Sequence, residues 1–324
     1  PDDPTPTRRF VPTGPVSPLF LDLPLLRGDE VPHAPYVAVS ANPWPGNVAV
    51  YDAPEDAGYE LNGLVTAQST VGPVLNDVPA LATGAGLIDL ATTIDVQLFS
   101  GFLSSISETA LLAGGNLAAI GSGDPDQWEI IQFREAELIG ANTWRLSHLL
   151  RGHAGTDALV SETLAAASSF VLLDGTPQQI DLAAALRRQM RHCRVGPADK
   201  SDDHASDRHI QHAFEGNGLR PYSPVHLMAQ PEGSDLHLSW IRRARIEADA
   251  WELADIPLDE DNEMYRVSVF AVSGLLREVD VSMPTWTYTA VMQASDGFSG
   301  AGRIEVAQIS SRFGPGPAAR LELA

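Results

Sequence analysis

Apolar and polar residues alternate in short runs along most of this chain, and glycine, proline or asparagine breaks the runs. A period of two with such punctuation predicts strands. Residues 36–40 and 47–51 are two such runs on either side of Asn-Pro-Trp-Pro-Gly at 42–46, which predicts strand, turn, strand. Residues 94–99 alternate cleanly. Leu111 and Leu112 on one side and residues 117–120 on the other enclose Gly114, Gly115 and Asn116, a tight-hairpin signal. The clearest hairpin pairs 128–139 with 143–150 across Gly140, Ala141 and Asn142. It stops at Arg151-Gly152-His153-Ala154-Gly155-Thr156, where two glycines permit positive φ and a sharp change of direction. Residues 209–214 add a last strand. A helix is predicted at 178–188, with Thr176 as its cap and Pro177 in its first turn, and a shorter one at 161–167.

The pattern changes near residue 218. A proline-rich hinge passes directly into an alternating strand, and Leu236, Leu238 and Trp240 alternate in the next. Further runs at 246–251, 265–271, 275–281, 285–290 and 303–312, the last continuing past Gly314-Pro315-Gly316-Pro317 to 319–323, complete seven candidate strands. Such spacing suits a sandwich of about a hundred residues. Cys193 is the single cysteine, so an antibody-type disulfide is excluded and the fibronectin-III variety is favoured. The fold class is therefore mainly β. An extended proline-rich arm (1–18) precedes an irregular β-rich domain with a minor helix (19–218, with a polar connector at 196–206), and a fibronectin-III-like sandwich (219–324) follows.

Composition narrows the function. A chain of 324 residues is expected to hold two or three domains. Its 44% apolar content builds ordinary cores, and no apolar run nears the ~20 residues of a membrane span. Pro-Asp-Asp-Pro-Thr-Pro at the start is not a secretory signal, and the missing initial Met suggests a processed chain or part of a longer one. A net charge of −21 repels phosphate backbones and anionic lipid, arguing against direct nucleic-acid or membrane-surface binding.

Candidate chemistry is sparse. His192, Cys193, Asp202, Asp203, His204, His209 and His212 are of zinc-binding types. Their spacing matches no compact ligand pattern, so incidental histidines on a solvated linker are the preferred reading and no metal is assigned. Asp259, Asp261 and Glu263 alternate in an acidic stretch with Asp255 and Glu260. The glycine turn of a calcium loop is missing, so a solvated loop is expected. No Gly-x-Ser-x-Gly or phosphate-loop pattern stands in the right setting, and neither a catalytic residue nor a cofactor is assigned. Arg187, Arg188, Arg191 and Arg194 form the basic cluster, either pairing with acids across a subunit boundary or forming a solvated face near a helix C-terminus. Trp44, read as exposed in its Pro-Trp-Pro loop, either contacts a ligand or covers the hairpin beneath it.

Three stretches carry a family resemblance. Residues 143–156 contain Leu149-Leu150-Arg151-Gly152-His153-Ala154-Gly155-Thr156, which looks like the LLRGxxGT signature of phage tail-tip proteins. Residues 214–227 (Phe-Glu-Gly-Asn-Gly-Leu-Arg-Pro-Tyr-Ser-Pro-Val-His-Leu) follow the same pattern, as do residues 238–245 together with 313–317. The chain resembles the C-terminal part of the large baseplate protein of alphaproteobacterial gene transfer agents, itself similar to host-specificity proteins of long-tailed phages. The resemblance covers most of residues 90–324 and is weak before them. Some members carry a glycosidase-like barrel upstream. Nothing in this chain matches it, so no catalytic residue is carried over.

The resemblance implies a tail-hub-type fold and a non-enzymatic virion component at the distal tail tip. It also implies a homotrimer around the tail axis, with hub and distal tail proteins as neighbours and a receptor or glycan of the host envelope as target. A polysaccharide-degrading or carbohydrate-binding secreted protein is the alternative.

Overall fold

The computed structural model describes residues 14–82, 84–160, 162–200, 207–246 and 257–323. Most of the proline-rich arm, the 201–206 part of the connector, the 247–251 part of a candidate strand, and Asp255 lie outside the described residues.

The chain is mainly β, as the alternation predicts. Strands run in order β1 (Val16–Leu21), β2 (Tyr36–Ala41), β3 (Val48–Ala53), β4 (Glu60–Val65), β5 (Val71–Pro73), β6 (Ile88–Asp89) and β7 (Ile94–Gln97). Helix α1 (Glu108–Leu112) precedes β8 (Leu117–Gly121), β9 (Trp128–Gly140), β10 (Thr143–His153), β11 (Ser169–Leu172), β12 (Gln178–Gln179), β13 (Arg191–Pro197) and β14 (Arg208–His212). These strands build three antiparallel sheets, β1-β2-β12, β14-β13-β3-β4, and β5-β11-β8-β9-β10-β6 with β7 beside β10.

The first sheet is the middle layer, and β2 shows why. All six of its residues are buried. Val37 and Val39 enter a core with Val48, Val50, Val195 and Phe214. Tyr36 and Ala38 enter another with Trp128, Ile130 and Val171. A strand covered on both faces reads as a continuous apolar run. A third core lies within the seven-stranded sheet around Ile94, Ile131, Phe133, Leu149 and Phe170. Each fully buried Leu, Ile or Phe contributes roughly 1.5–3 kcal/mol relative to exposure.

Beyond residue 224 come β15 (Val225–Glu232), β16 (Asp235–Ile241), β17 (Tyr265–Ala271), β18 (Gly274–Val281), β19 (Thr285–Tyr288), helix α2 (Ala290–Asp296), β20 (Gly302–Ser310) and β21 (Gly314–Leu323). Sheet β15-β16-β19 and sheet β18-β17-β20-β21 form the three-plus-four arrangement of a fibronectin-III-like sandwich. Among the described residues their shared core draws only on this stretch, with Trp240 edge-on to Tyr265 at 5.2 Å between ring centroids.

Several expectations are corrected. The 178–188 helix is absent. Gln178 and Gln179 pair with Val37 and Tyr36, Ile180 and Leu182 alternate into the core, and only a 3-10 turn at Ala184–Leu186 remains. The period of two outweighs the capping signal. Among the described residues of 161–167 there is no helix, and Leu164 bridges to Val78. Leu111 and Leu112 lie in α1, which Ser107 caps through Ala110 N–H at 3.2 Å, not in a hairpin. The runs flanking Trp44 do not pair with each other. They enter different sheets, and Trp44 is half-buried against the core they share. The last run is two strands, folded back where Ser310 Oγ accepts the N–H groups of Arg312 and Phe313.

Candidate functional site

The three stretches that carry the resemblance, distant in sequence, meet where the upstream sheets join the sandwich. The first is the end of β10. Arg151, 1% exposed, pairs bidentately with Glu129 of β9, Nε to Oε1 at 2.9 Å and Nη2 to Oε2 at 2.8 Å. Its Nη1 donates to the Pro79 carbonyl at 2.6 Å, and Glu129 also accepts from Gly152 N–H at 3.2 Å. A buried ion pair withstands desolvation only when its remaining donors and acceptors are met in this way, and removing one partner costs about 3–5 kcal/mol. Thr156 Oγ1 donates to His153 O at 2.7 Å and accepts from Ile130 N–H at 3.0 Å, which ties the turn back to β9. Gly152 and Gly155 have φ of 65° and 75°, as their place in the turn predicts.

Gly155 serves a second purpose. A Cβ there would lie 2.2 Å from Tyr222 Cδ1, so the ring of the second stretch packs directly on glycine backbone. Arg243 of the third stretch also lies over Tyr222, its guanidinium 5.4 Å from the ring centroid. Arg243 donates to Ser223 O at 2.8 Å and reaches both oxygens of Asp157 at 2.9 and 3.0 Å. Burial pushes the Tyr222 phenol up to about 12. Arg245 donates to the Leu219 carbonyl and pairs with the buried carboxylate of Glu260 at 2.6 Å. Burial raises the pKa of Glu260 above the usual carboxylate range. A Cβ on Gly316 would lie 2.5 Å from Pro221 O.

The other flank of the joint is held by Asp22, just past β1. Its carboxylate accepts the N–H groups of Gly216 at 2.7 Å and Asn217 at 2.8 Å, and Asn217 Nδ2 returns a bond to Asp22 O at 2.8 Å. Burial pushes the Asp22 carboxyl up to about 7. Its neighbour Asp126 adds to this, and the two backbone donors oppose it. His212 Nε2 lies 2.8 Å from Asp126 Oδ2, which raises the His212 pKa. The proline-rich hinge is therefore a pinned joint. Nothing in its composition signals Asp22 as its partner, because the two are 194 residues apart.

A cleft of about 770 Å³ opens beside the joint, bounded by Ser122, Gln127, Asp157, Glu162, Pro224 and Arg320 among others. Glu129 also lines it. Two of its carboxylates are engaged, Glu129 by Arg151 and Asp157 by Arg243.

The basic cluster is spent within the chain. Arg187 donates to the Arg312 carbonyl, and Arg188 to Phe313 O at 2.8 Å and Glu215 at 2.6 Å. Both guanidinium groups lie over the Phe313 ring. They brace the sandwich and do not end a helix. Arg191 pairs with Asp52, and Arg194 with Asp56 at 2.9 Å. Of the zinc-type residues, Cys193 is buried in the core while His192 and His209 come together at 3.1 Å. Tyr265 donates to Glu263 and Ser311 to Asp261, so this part of the acidic stretch is bonded to the sandwich.

Among the described residues no helix is long and apolar enough to cross a membrane. No curated protein matches the chain. Among solved structures, the chain is similar to the Spr0440 glycoside hydrolase domain of Endo-D from Streptococcus pneumoniae R6 at 13% identity. That match covers 85% of this chain and 35% of the other, and its TM-score of 0.19 carries no argument about fold or chemistry. Residues 69–171, which hold most of the seven-stranded sheet and the first of the three stretches, match the family model described as Rcc01698-like, C-terminal.

Proposed function

We propose that this chain is a structural component of the distal tail tip, or baseplate, of a phage-like particle of the gene-transfer-agent kind. It takes part in host-surface attachment or cell-envelope entry during DNA delivery. The observation that carries this reading is the convergence of the three resembling stretches on one joint. Arg151 fixes the turn that carries Gly155, Tyr222 packs on Gly155, and Arg243 lies over Tyr222, so the stretches tie the sandwich to the sheets, and this is the work of a scaffold. The family match over residues 69–171 supports it. So does the end of the β9–β10 hairpin, where Leu138 and Ile139 are 59% and 42% exposed. Phe99, 57% exposed, follows Leu98, which is bonded to Asn142 at the hairpin turn. Apolar side chains left bare on a strongly acidic protein suit contact with neighbouring subunits, and a homotrimer is part of the proposal.

The cleft beside the joint favours the second reading, a carbohydrate-binding or polysaccharide-degrading secreted protein, because Ser122, Gln127, Glu162, Thr163 and Arg320 line it with hydrogen-bonding groups. Gold-labelled electron microscopy with an antibody against residues 219–324 separates the two. Label at one end of a tail is the expected result. Label on cell surfaces or in the soluble fraction alone would overturn the tail-tip reading in favour of the second.

A further inference from the structure

Strands β13 and β14 pair with Arg194 opposite His209 and His192 opposite Gln211. This makes His192 and His209 diagonal neighbours on one face of the ladder, within reach of each other. Their nitrogens, Nδ1 of His192 and Nε2 of His209, stand 3.1 Å apart, and the rings stack with centroids 5.3 Å apart at 19°. Asp56, in the connection between β3 and β4, brings Oδ1 to 3.9 Å from the same His209 nitrogen. All three ligand atoms lie within 4.8 Å of one another.

Two imidazoles facing nitrogen to nitrogen can share one proton or one metal ion. Zinc–nitrogen bonds are about 2.0–2.1 Å, and a tetrahedral angle between two of them separates the nitrogens by roughly 3.3 Å, close to the spacing found. Two imidazoles and one carboxylate are a borderline donor set. It suits zinc, nickel or copper and not calcium or magnesium, which take oxygen ligands. Tyr59 Oη donates to Asp56 Oδ1 at 2.5 Å and Arg194 Nη2 donates to the same oxygen at 2.9 Å, which fixes the carboxylate in place but competes with an ion for that oxygen. Arg194 also weakens it as an anion, which leaves most of the affinity to the imidazoles.

We propose that Asp56, His192 and His209 bind one divalent transition-metal ion of the zinc class, with water completing the coordination. The ion would staple three members of one sheet together: β14, β13 and the β3–β4 connection. The other trio of this type, Asp124, Asp126 and His212, is committed to the joint through the 2.8 Å His212–Asp126 contact.

The test titrates zinc chloride into the full chain after chelator treatment and follows cobalt(II) absorption in parallel. One saturable equivalent is expected, with the visible bands of nitrogen–oxygen-ligated cobalt and an upward shift of the melting midpoint on zinc addition. His192→Ala and His209→Ala should each weaken binding at least about tenfold and abolish the shift, since each removes one of three ligands. Arg194→Gln should tighten binding several-fold by removing one of the two donors on Asp56 Oδ1 and a nearby positive charge. The metal-free variants are expected to melt like the parent, because His209 is exposed and His192 only half-buried. Binding that survives His209→Ala unchanged, binding lost instead on His212→Ala, or no saturable uptake would each overturn the site.

Discussion

Gly155 shows how one residue can carry a whole joint. Alanine there meets two penalties. A positive φ costs a residue with a Cβ about 1–2 kcal/mol, and overpacking against the Tyr222 ring costs about 1–3 kcal/mol more. Gly123, with φ 98° and nothing within 4 Å of a built Cβ, meets the first penalty alone. Gly155→Ala is therefore expected to lower the melting midpoint well beyond Gly123→Ala in differential scanning calorimetry. Adding Tyr222→Ala should recover part of the difference, because the two positions touch and their effects couple. Equal losses in the two glycine variants would show that the ring contact contributes nothing. The glycines at 152 and 155 were legible in the sequence as turn residues. That a tyrosine from the next domain needs Gly155 bare was not, because a glycine's spacing says nothing about what lies over it.

At the scale of elements, the joint couples to pH through Asp22 and His212. Both have folded-state pKa values raised above their ordinary ones. A group raised on folding holds its proton more tightly in the native state. Its contribution is thus fully present below the unfolded pKa and fades as pH rises through the folded one. For Asp22 the window runs from the ordinary carboxylate range up to about 7, and His212 acts in the same direction above the ordinary histidine value. Asp124, Asp126, Arg187 and Arg220 face these groups, and Asp126 is the neighbour common to both shifts. The joint is expected to melt at lower temperature at pH 8 than at pH 6, and Asp126→Asn should flatten that slope. A midpoint that rises from pH 6 to 8 in the parent chain would contradict the assignment. Strands were the most readable elements. The β9–β10 hairpin and the alternation of the sandwich strands followed from a period of two. Helix signals misled at 178–188, where a short polar pair joins a sheet edge. Helix α2 went unread because Thr289, the residue directly after β19, caps the helix with no loop between them.

For the whole molecule, among the described residues the sandwich core draws none from upstream of Leu227, whereas the three upstream cores interlock through β2 and β8. Residues 219–324 alone are expected to give a cooperative thermal transition, read from the fluorescence of buried Trp240. A fragment without a transition would make the sandwich dependent on the joint for its fold. The mainly β class was legible from periodicity, but the strand count of the sandwich was not read as found, because 246–251 falls largely outside the described residues and the last run is two strands. The layering of the upstream sheets was not, because it rests on pairings between segments far apart in sequence.

The middle layer has a consequence for synthesis. β3 pairs with β13, Tyr51 lying opposite Arg194, and β2 is closed on one edge by β12. On a ribosome making about 5–20 residues per second, β2 and β3 would wait on the order of ten seconds for these partners to emerge. During that interval a strand that ends wholly buried has an open hydrogen-bonding edge, and on a polysome the nearest matching edges belong to other copies of itself. Yield of the native protein should therefore depend on how quickly residues 178–197 follow residue 53, a property of the message as much as of the fold.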